Sequence, residues 1–318
     1  MKIVLKALKK AHTIVRPENS AFGRNWKMFP NKEYASRLIH RALLSSEPVM
    51  IARLGANELQ CMVNYIGVKH PEMHKNLKRY VCNQSPPWWW NDSTIEQMRK
   101  CAGFFPTKKK KLEQFCEMMI TDLPKVDILG SWLKEEAFFT QELKSSKKVV
   151  LEDLEPFFST HPWTSALESK RVLVVHPFAD TIQRQYARRT ELFDDNLLPE
   201  FELDVIQAVQ SIAGQKTQFD DWFEALDWMK EEIRKREFDV CILGCGAYGF
   251  PLAAYVKGLG KKAIHLGGVT QLLFGIKGAR WEQYLWYPYT NLFNDAWVRP
   301  STSESPIKAK SVENGCYW

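Results

Sequence analysis

An α/β fold, built on a mostly parallel sheet with helices on both faces, is what this sequence predicts. Three observations predict it. Short apolar runs alternate with segments of helical periodicity, at least one run is apolar almost throughout, and the runs stop at glycine or polar turns. The 318 residues suffice for one large or two modest domains with a buried core. Hydrophobic residues make up 45% and charged residues 25%, proportions that argue against wholesale disorder.

Residues 31–47 read as a helix with Leu38, Ile39, Ala42 and Leu43 as its apolar stripe, ended by Pro48. Residues 49–54 form an apolar strand that stops at Gly55, and a second helix starting near Glu58 carries Leu59, Met62, Val63 and Ile66 on one face. Ser93 and Glu96 have capping-box spacing after the Trp88-Trp89-Trp90 loop. Further strands are expected at 126–131 and 148–151. The run 171–176 has the near-continuous apolar character of a strand buried on both faces, and Asp180 is placed to cap the helix after it. A strand at 203–209 precedes a long helix at 219–236, where Trp222, Leu226, Met229 and Ile233 recur at helical intervals. Strand 238–244, helix 248–259 and strand 263–266 complete the alternation. Residues 31–299 are thus expected to form one domain, preceded by a basic segment at 1–30 and followed by a loose tail at 300–318 rich in Ser, Pro, Lys and Glu.

The net charge of +7 favours phosphate groups or anionic lipid as partners. The basic residues are dispersed and no finger or RNA-binding signature accompanies them, so nucleic acid is not an expected partner. Lys108 to Lys111 read as the solvated first turn of an amphipathic helix. Seven Cys without a Cys-x-x-Cys pair, and no secretory signal, point to reduced thiols in a cytoplasm. Cys241 and Cys245 lack the further ligands of a zinc site and read as small buried residues. The first sixteen residues interleave Lys2, Lys6, Lys9, Lys10 and Arg16 with Ile3, Leu5, Leu8, Ile14 and Val15, which makes them a candidate for peripheral contact with the inner face of a membrane; a basic surface helix is the simpler reading.

Gly244-Cys245-Gly246-Ala247-Tyr248-Gly249 has Gly-x-Gly-x-x-Gly spacing between a predicted strand and helix. Such a loop lets backbone amides approach a ligand, and the helix behind it favours phosphate. A dinucleotide-binding enzyme would need an acidic residue about twenty positions on. His265 falls there instead, which disfavours an NAD-dependent oxidoreductase. Ligands of open parallel sheets bind beyond the carboxyl ends of the strands. Three turns belong at that edge: Arg53 to Glu58, His176 to Asp180, and the loop at Gly244.

Together these residues resemble the GT-D glycosyltransferases, a bacterial family with a Rossmann-like fold. Arg53-Leu54-Gly55 and Glu58 are similar to its first motif, Arg, aromatic or apolar, Gly, Asp, Gly, Glu. Gly244 to Gly249, the helix through Lys257, and Ala263-Ile264-His265-Leu266-Gly267-Gly268 are similar to its second. The resemblance covers roughly residues 31–285. It implies transfer of a sugar from a nucleoside diphosphate donor to a glycan or lipid-linked acceptor in surface polysaccharide assembly. It also implies a Mg²⁺ or Mn²⁺ ion at the Asp-x-Glu element, but Ala56 stands where the Asp belongs and leaves Glu58 as the only motif carboxylate. The expected donor-binding residues are Arg53, Gly55, Asn57, Gly244, Gly246, Ala247, Tyr248, Gly249, Gly267, Gly268, Gln271 and Arg280. Glu58 is expected as base or metal ligand, and His176 as acid, base or phosphate donor. The missing Asp leaves a second expectation, a non-catalytic nucleotide-sugar or glycan-binding module.

Overall fold

The computed structural model describes residues 2–16, 20–25, 27–193, 197–284, 288–312 and 315–318. Seven strands form one all-parallel sheet: β1 Val49–Arg53, β2 Ile128–Ser131, β3 Lys147–Val150, β4 Arg171–His176, β5 Glu202–Gln207, β6 Val240–Leu243 and β7 Lys262–His265. Their spatial order is β3-β2-β1-β7-β6-β4-β5. The fold is α/β and Rossmann-like, with helices flanking the sheet.

Alternate residues of the central strands feed two separate cores. Met50 and Ala52, Leu173 and Val175, and Cys241 and Leu243 pack with the helices Ala56–Lys69, Lys109–Asp122, Trp222–Arg234 and Gly249–Gly258. Their neighbours Val49 and Ile51, Val172 and Val174, and Val240 and Ile242 pack on the other face with Ile39 of helix Lys32–Leu44 and Ile182 of helix Ala179–Tyr186. A strand apolar on both faces can only be buried on both, which is why these runs lack polar alternation. The expected core roles of Trp222, Met229, Cys241 and Cys245 hold: all four are buried.

Several local expectations are corrected by tertiary contacts. Ser93 lies inside the helix Asp92–Lys100, whose cap residue is Asn91, and Glu96 pairs with Arg99 instead of closing a capping box. The helix after β4 starts behind Phe178 and ends at Tyr186, with Asp180 exposed in its first turn and making no capping bond. Lys111 is not simply solvated: it pairs with Asp221 at 2.5 Å, tying two helices together. The segment 300–318 is not a loose tail. Glu304 is buried and accepts from Thr181 N at 3.1 Å and Ser301 Oγ at 2.6 Å, while Val312 and Cys316 are buried as well. Its polar composition hides a handful of anchoring contacts.

Candidate functional site at the carboxyl edge of the sheet

The chain leaves β4 toward β5 on one side and β6 toward β7 on the other, so the direction of winding reverses between β4 and β6. The turns after these two strands separate there and leave a crevice, the usual ligand position in open α/β sheets. All three turns predicted from the sequence meet in it. Of the expected site residues, every one except Gly249 lines the crevice. A Cβ on Gly249 would fall 2.2 Å from His265 Cε1, so that glycine serves helix-to-strand packing.

β1 delivers Arg53 to the crevice floor, half-buried, in register with Gly130 of β2. Its guanidinium lies 5.2 Å from the centre of the Trp132 ring, a cation–π placement. Among the described residues it makes no hydrogen bond or ion pair. Trp132 is itself fixed by its indole N–H donating to Leu54 O at 2.9 Å and its backbone N–H donating to Glu136 Oε1 at 2.9 Å. Burial lowers the Arg53 pKa and Arg280 acts in the same direction, while Glu58 opposes both. A guanidinium starts so high that it stays charged.

Gly55 caps the helix Ala56–Lys69, and Glu58 in its first turn curls back over that glycine: a Cβ there would sit 2.0 Å from Glu58 Oε2. The buried carboxyl therefore occupies the positive end of its own helix. Burial pushes its pKa up, opposed by its own amide and by Arg53. Ala56 offers no side-chain donor. Among the described residues no group of three or more His, Cys, Asp or Glu could hold a metal. One carboxylate facing a guanidinium does not fit the oxygen-rich coordination that Mg²⁺ or Mn²⁺ requires.

His176 ends β4 with its ring fully inside the wall of the crevice. Nδ1 accepts from Phe178 N at 3.0 Å, so the proton of the neutral ring resides on Nε2. Burial drives its pKa down to about 3. This corrects the acid/base expectation: near neutral pH the ring is uncharged and a feeble base, and what it offers a ligand is the Nε2–H donor. Gly244 makes room for that ring, because a Cβ there would lie 2.5 Å from His176 Cδ2 and 2.7 Å from Thr270 Cβ.

Gly246 has φ +59 and open space around it, so it is the point where the loop exposes backbone to the crevice. Tyr248 follows, but its ring stacks on Trp222 at 4.7 Å and its hydroxyl lies 3.1 Å from Ser211 Oγ. Its side chain is a core element with one edge on the crevice wall. Gln271, fully buried, places Nε2 within 3.2 Å of three carbonyls, those of Ile276, Lys277 and Tyr317, which fixes the amide's orientation. Its Oε1 is left as a buried acceptor with no partner among the described residues. Arg280 stands 4.6 Å over the Tyr317 ring and donates to the Tyr317 hydroxyl at 3.2 Å.

Three participants escaped the sequence reading. Trp132, Tyr317 and Trp318 all line the crevice. The position of Trp132 just beyond an apolar strand was a usable signal; the terminal aromatic pair had none beyond its contrast with a polar tail. Trp88 to Trp90 lie away from the crevice, with Trp89 packed against Leu5 and Tyr80 in a small separate core. Of the other cations, Arg184 bonds Thr181 and Lys277 lies over Phe293, both outside the crevice lining.

Fold and site together define a Rossmann-like α/β protein with a cationic crevice at the carboxyl edge of a parallel sheet. No family model, curated protein or solved structure matches the chain. No helix among the described residues is long and apolar enough to cross a membrane.

Proposed function

We propose that this protein is a nucleotide-sugar glycosyltransferase that moves a sugar from a nucleoside diphosphate donor to a glycan or lipid-linked acceptor in surface polysaccharide assembly. The observation that carries the reading is the convergence of the Arg53 turn, the Gly246 loop and the Gln271 turn on one crevice, with the Arg53 guanidinium left unpaired among the described residues. A planar five-donor cation is suited to a diphosphate, which it grips with two parallel bonds.

In this reading Arg53 and Arg280 hold the diphosphate and stabilise the charge that grows on it as the glycosidic C–O bond breaks. The Nε2–H of His176 donates a further hydrogen bond. Glu58 accepts the proton of the acceptor hydroxyl as its oxygen bonds to the anomeric carbon, a task helped by a carboxyl pKa raised through burial. The buried Oε1 of Gln271 accepts from an N–H of the base or a sugar hydroxyl. No step runs through a divalent metal, since the donor set does not fit one.

Incubation with a panel of nucleotide sugars and mixed acceptors, with and without Mn²⁺, tests this through release of nucleoside diphosphate. The reading expects release at similar rates in both conditions. The Ala56 position favours a second reading, a binding module without turnover. Under that reading nucleotide binds tightly, nothing is released, and Glu58→Gln changes neither result.

A further inference from the structure

The N-terminal helix, Lys2–Val15, turns its apolar side away from the protein. At about 100° per residue, Ile3, Val4, Ala7, Leu8, Ala11, Ile14 and Val15 fall within an arc of about 140°. All seven are exposed, with Ile3 at 83%, Val15 at 75%, Ile14 at 74%, Val4 at 60% and Leu8 at 51%. The helix is held from the other side by Leu5, buried against Tyr80 and Trp89, and by Lys9 over the Phe22 and Tyr80 rings. Scattered exposed apolar residues are ordinary, but an unbroken stripe along four turns of a helix is not.

Charge identifies what covers this stripe. Lys2, Lys6 and Lys10 are exposed along its flank. Lys2, Lys6 and Lys109 also line a hollow shared with Ile3, Trp89 and Trp90, where Asp92 is the one acidic group among the described residues. The short helices beneath add exposed Met73 and Leu77 beside exposed Lys75, Lys78 and Arg79. Apolar residues bordered by lysines match the boundary between acyl chains and anionic headgroups, where each part meets its preferred surroundings.

We propose that this helix docks the protein on an anionic membrane surface, lying in the plane of the interface with its apolar stripe inserted and its lysines at headgroup phosphates. Docking stands independently of the transferase reading. Where that reading also holds, the geometry brings a membrane-held acceptor to the donor: Asn57 lines both the crevice and a neighbouring groove bordered by Lys6, Lys9, Lys10 and Gln60.

Sedimentation of the full chain with vesicles tests the proposal without any sugar donor, so its failure and that of the transferase reading are separable. Vesicles of phosphatidylcholine mixed with phosphatidylglycerol are expected to bind at least tenfold more tightly than phosphatidylcholine alone. Val4→Asp with Leu8→Asp, and separately Lys2→Glu with Lys6→Glu and Lys10→Glu, are each expected to lower that binding at least tenfold. Every substituted position is exposed, so the thermal unfolding midpoint should not move. No binding to the mixed vesicles overturns the proposal, and so does equal binding to both vesicle types. A concentration-dependent dimer abolished by Val4→Asp with Leu8→Asp, without vesicle binding, overturns it in favour of a second copy of the chain.

Discussion

Arg53 and Glu58 stand at the two ends of one turn and do not form an ion pair, although each shifts the other's pKa. Glu58 curls over Gly55 to the start of its own helix, and Arg53 lies on the Trp132 face. Had the two closed on each other, a guanidinium of the crevice would be satisfied internally. Held apart, they leave the guanidinium for an anionic ligand and the carboxyl for a proton.

Charge-assisted bonds are worth about 1.5–3 kcal/mol, so Arg53→Ala should weaken nucleoside diphosphate binding by about 10- to 100-fold in calorimetry. Arg53→Lys should recover only part of it, because a point charge cannot bond a diphosphate through two parallel donors. The unfolding midpoint should stay within a few degrees of wild type, since the guanidinium makes no hydrogen bond with the described residues.

Two glycines of one loop should behave differently. Gly244→Ala drives a methyl into His176 and Thr270, an overpacking that should cost about 1–3 kcal/mol in urea unfolding. Gly246→Ala meets no neighbour, so its cost should be limited to about 1–2 kcal/mol for the left-handed backbone. Its larger consequence should be weaker nucleotide binding, from a methyl placed on the crevice wall.

The two buried histidines should each cost stability on mild acidification. His176 and His265 are both held down to about 3 by burial, against an ordinary value of 6.5. Between these limits the unfolded chain binds more protons, so stability rises with pH there and is lost as pH falls below 6.5. At pH 5 each histidine should cost about 2 kcal/mol relative to pH 7.5. Glu155 works in the opposite sense: burial raises its carboxyl to about 8, so its contribution is present below 4.5 and is lost as pH rises toward 8. His176→Asn keeps an acceptor for Phe178 N, and urea titrations should show its pH 5 to 7.5 difference smaller than wild type's by about 2 kcal/mol.

Tyr317 should matter more than its place in a polar terminal segment implies. Tyr317→Ala removes both the ring under Arg280 and the 3.2 Å bond to it, interactions worth about 1 kcal/mol each. Nucleotide affinity should fall about 5- to 30-fold, read by fluorescence or calorimetry.

What the sequence made legible was whatever local periodicity encodes. The doubly apolar run at Val172 to Val175 announced a central strand, and the turns at Arg53, His176 and Gly244 announced the crevice edge, because strand ends and glycine spacing are local properties. What stayed hidden depends on distant partners. Asn91, not Ser93, caps its helix. Trp89 is packed against Leu5, far away in sequence. The titration of His176 is set by burial between Phe178 and Gly244, which residue identity alone does not reveal. Glu304 and Tyr317 tie down a segment whose composition reads as solvent-loving.

In the proposed function this crevice cleaves a nucleoside diphosphate sugar using Arg53. The most direct measurement is nucleoside diphosphate release from a broad nucleotide-sugar panel with suitable acceptors, for wild type and Arg53→Ala in parallel. The account predicts acceptor-dependent release with at least one donor and a loss of about 10-fold or more in Arg53→Ala. Silence across the whole panel, or release unchanged by Arg53→Ala, contradicts it.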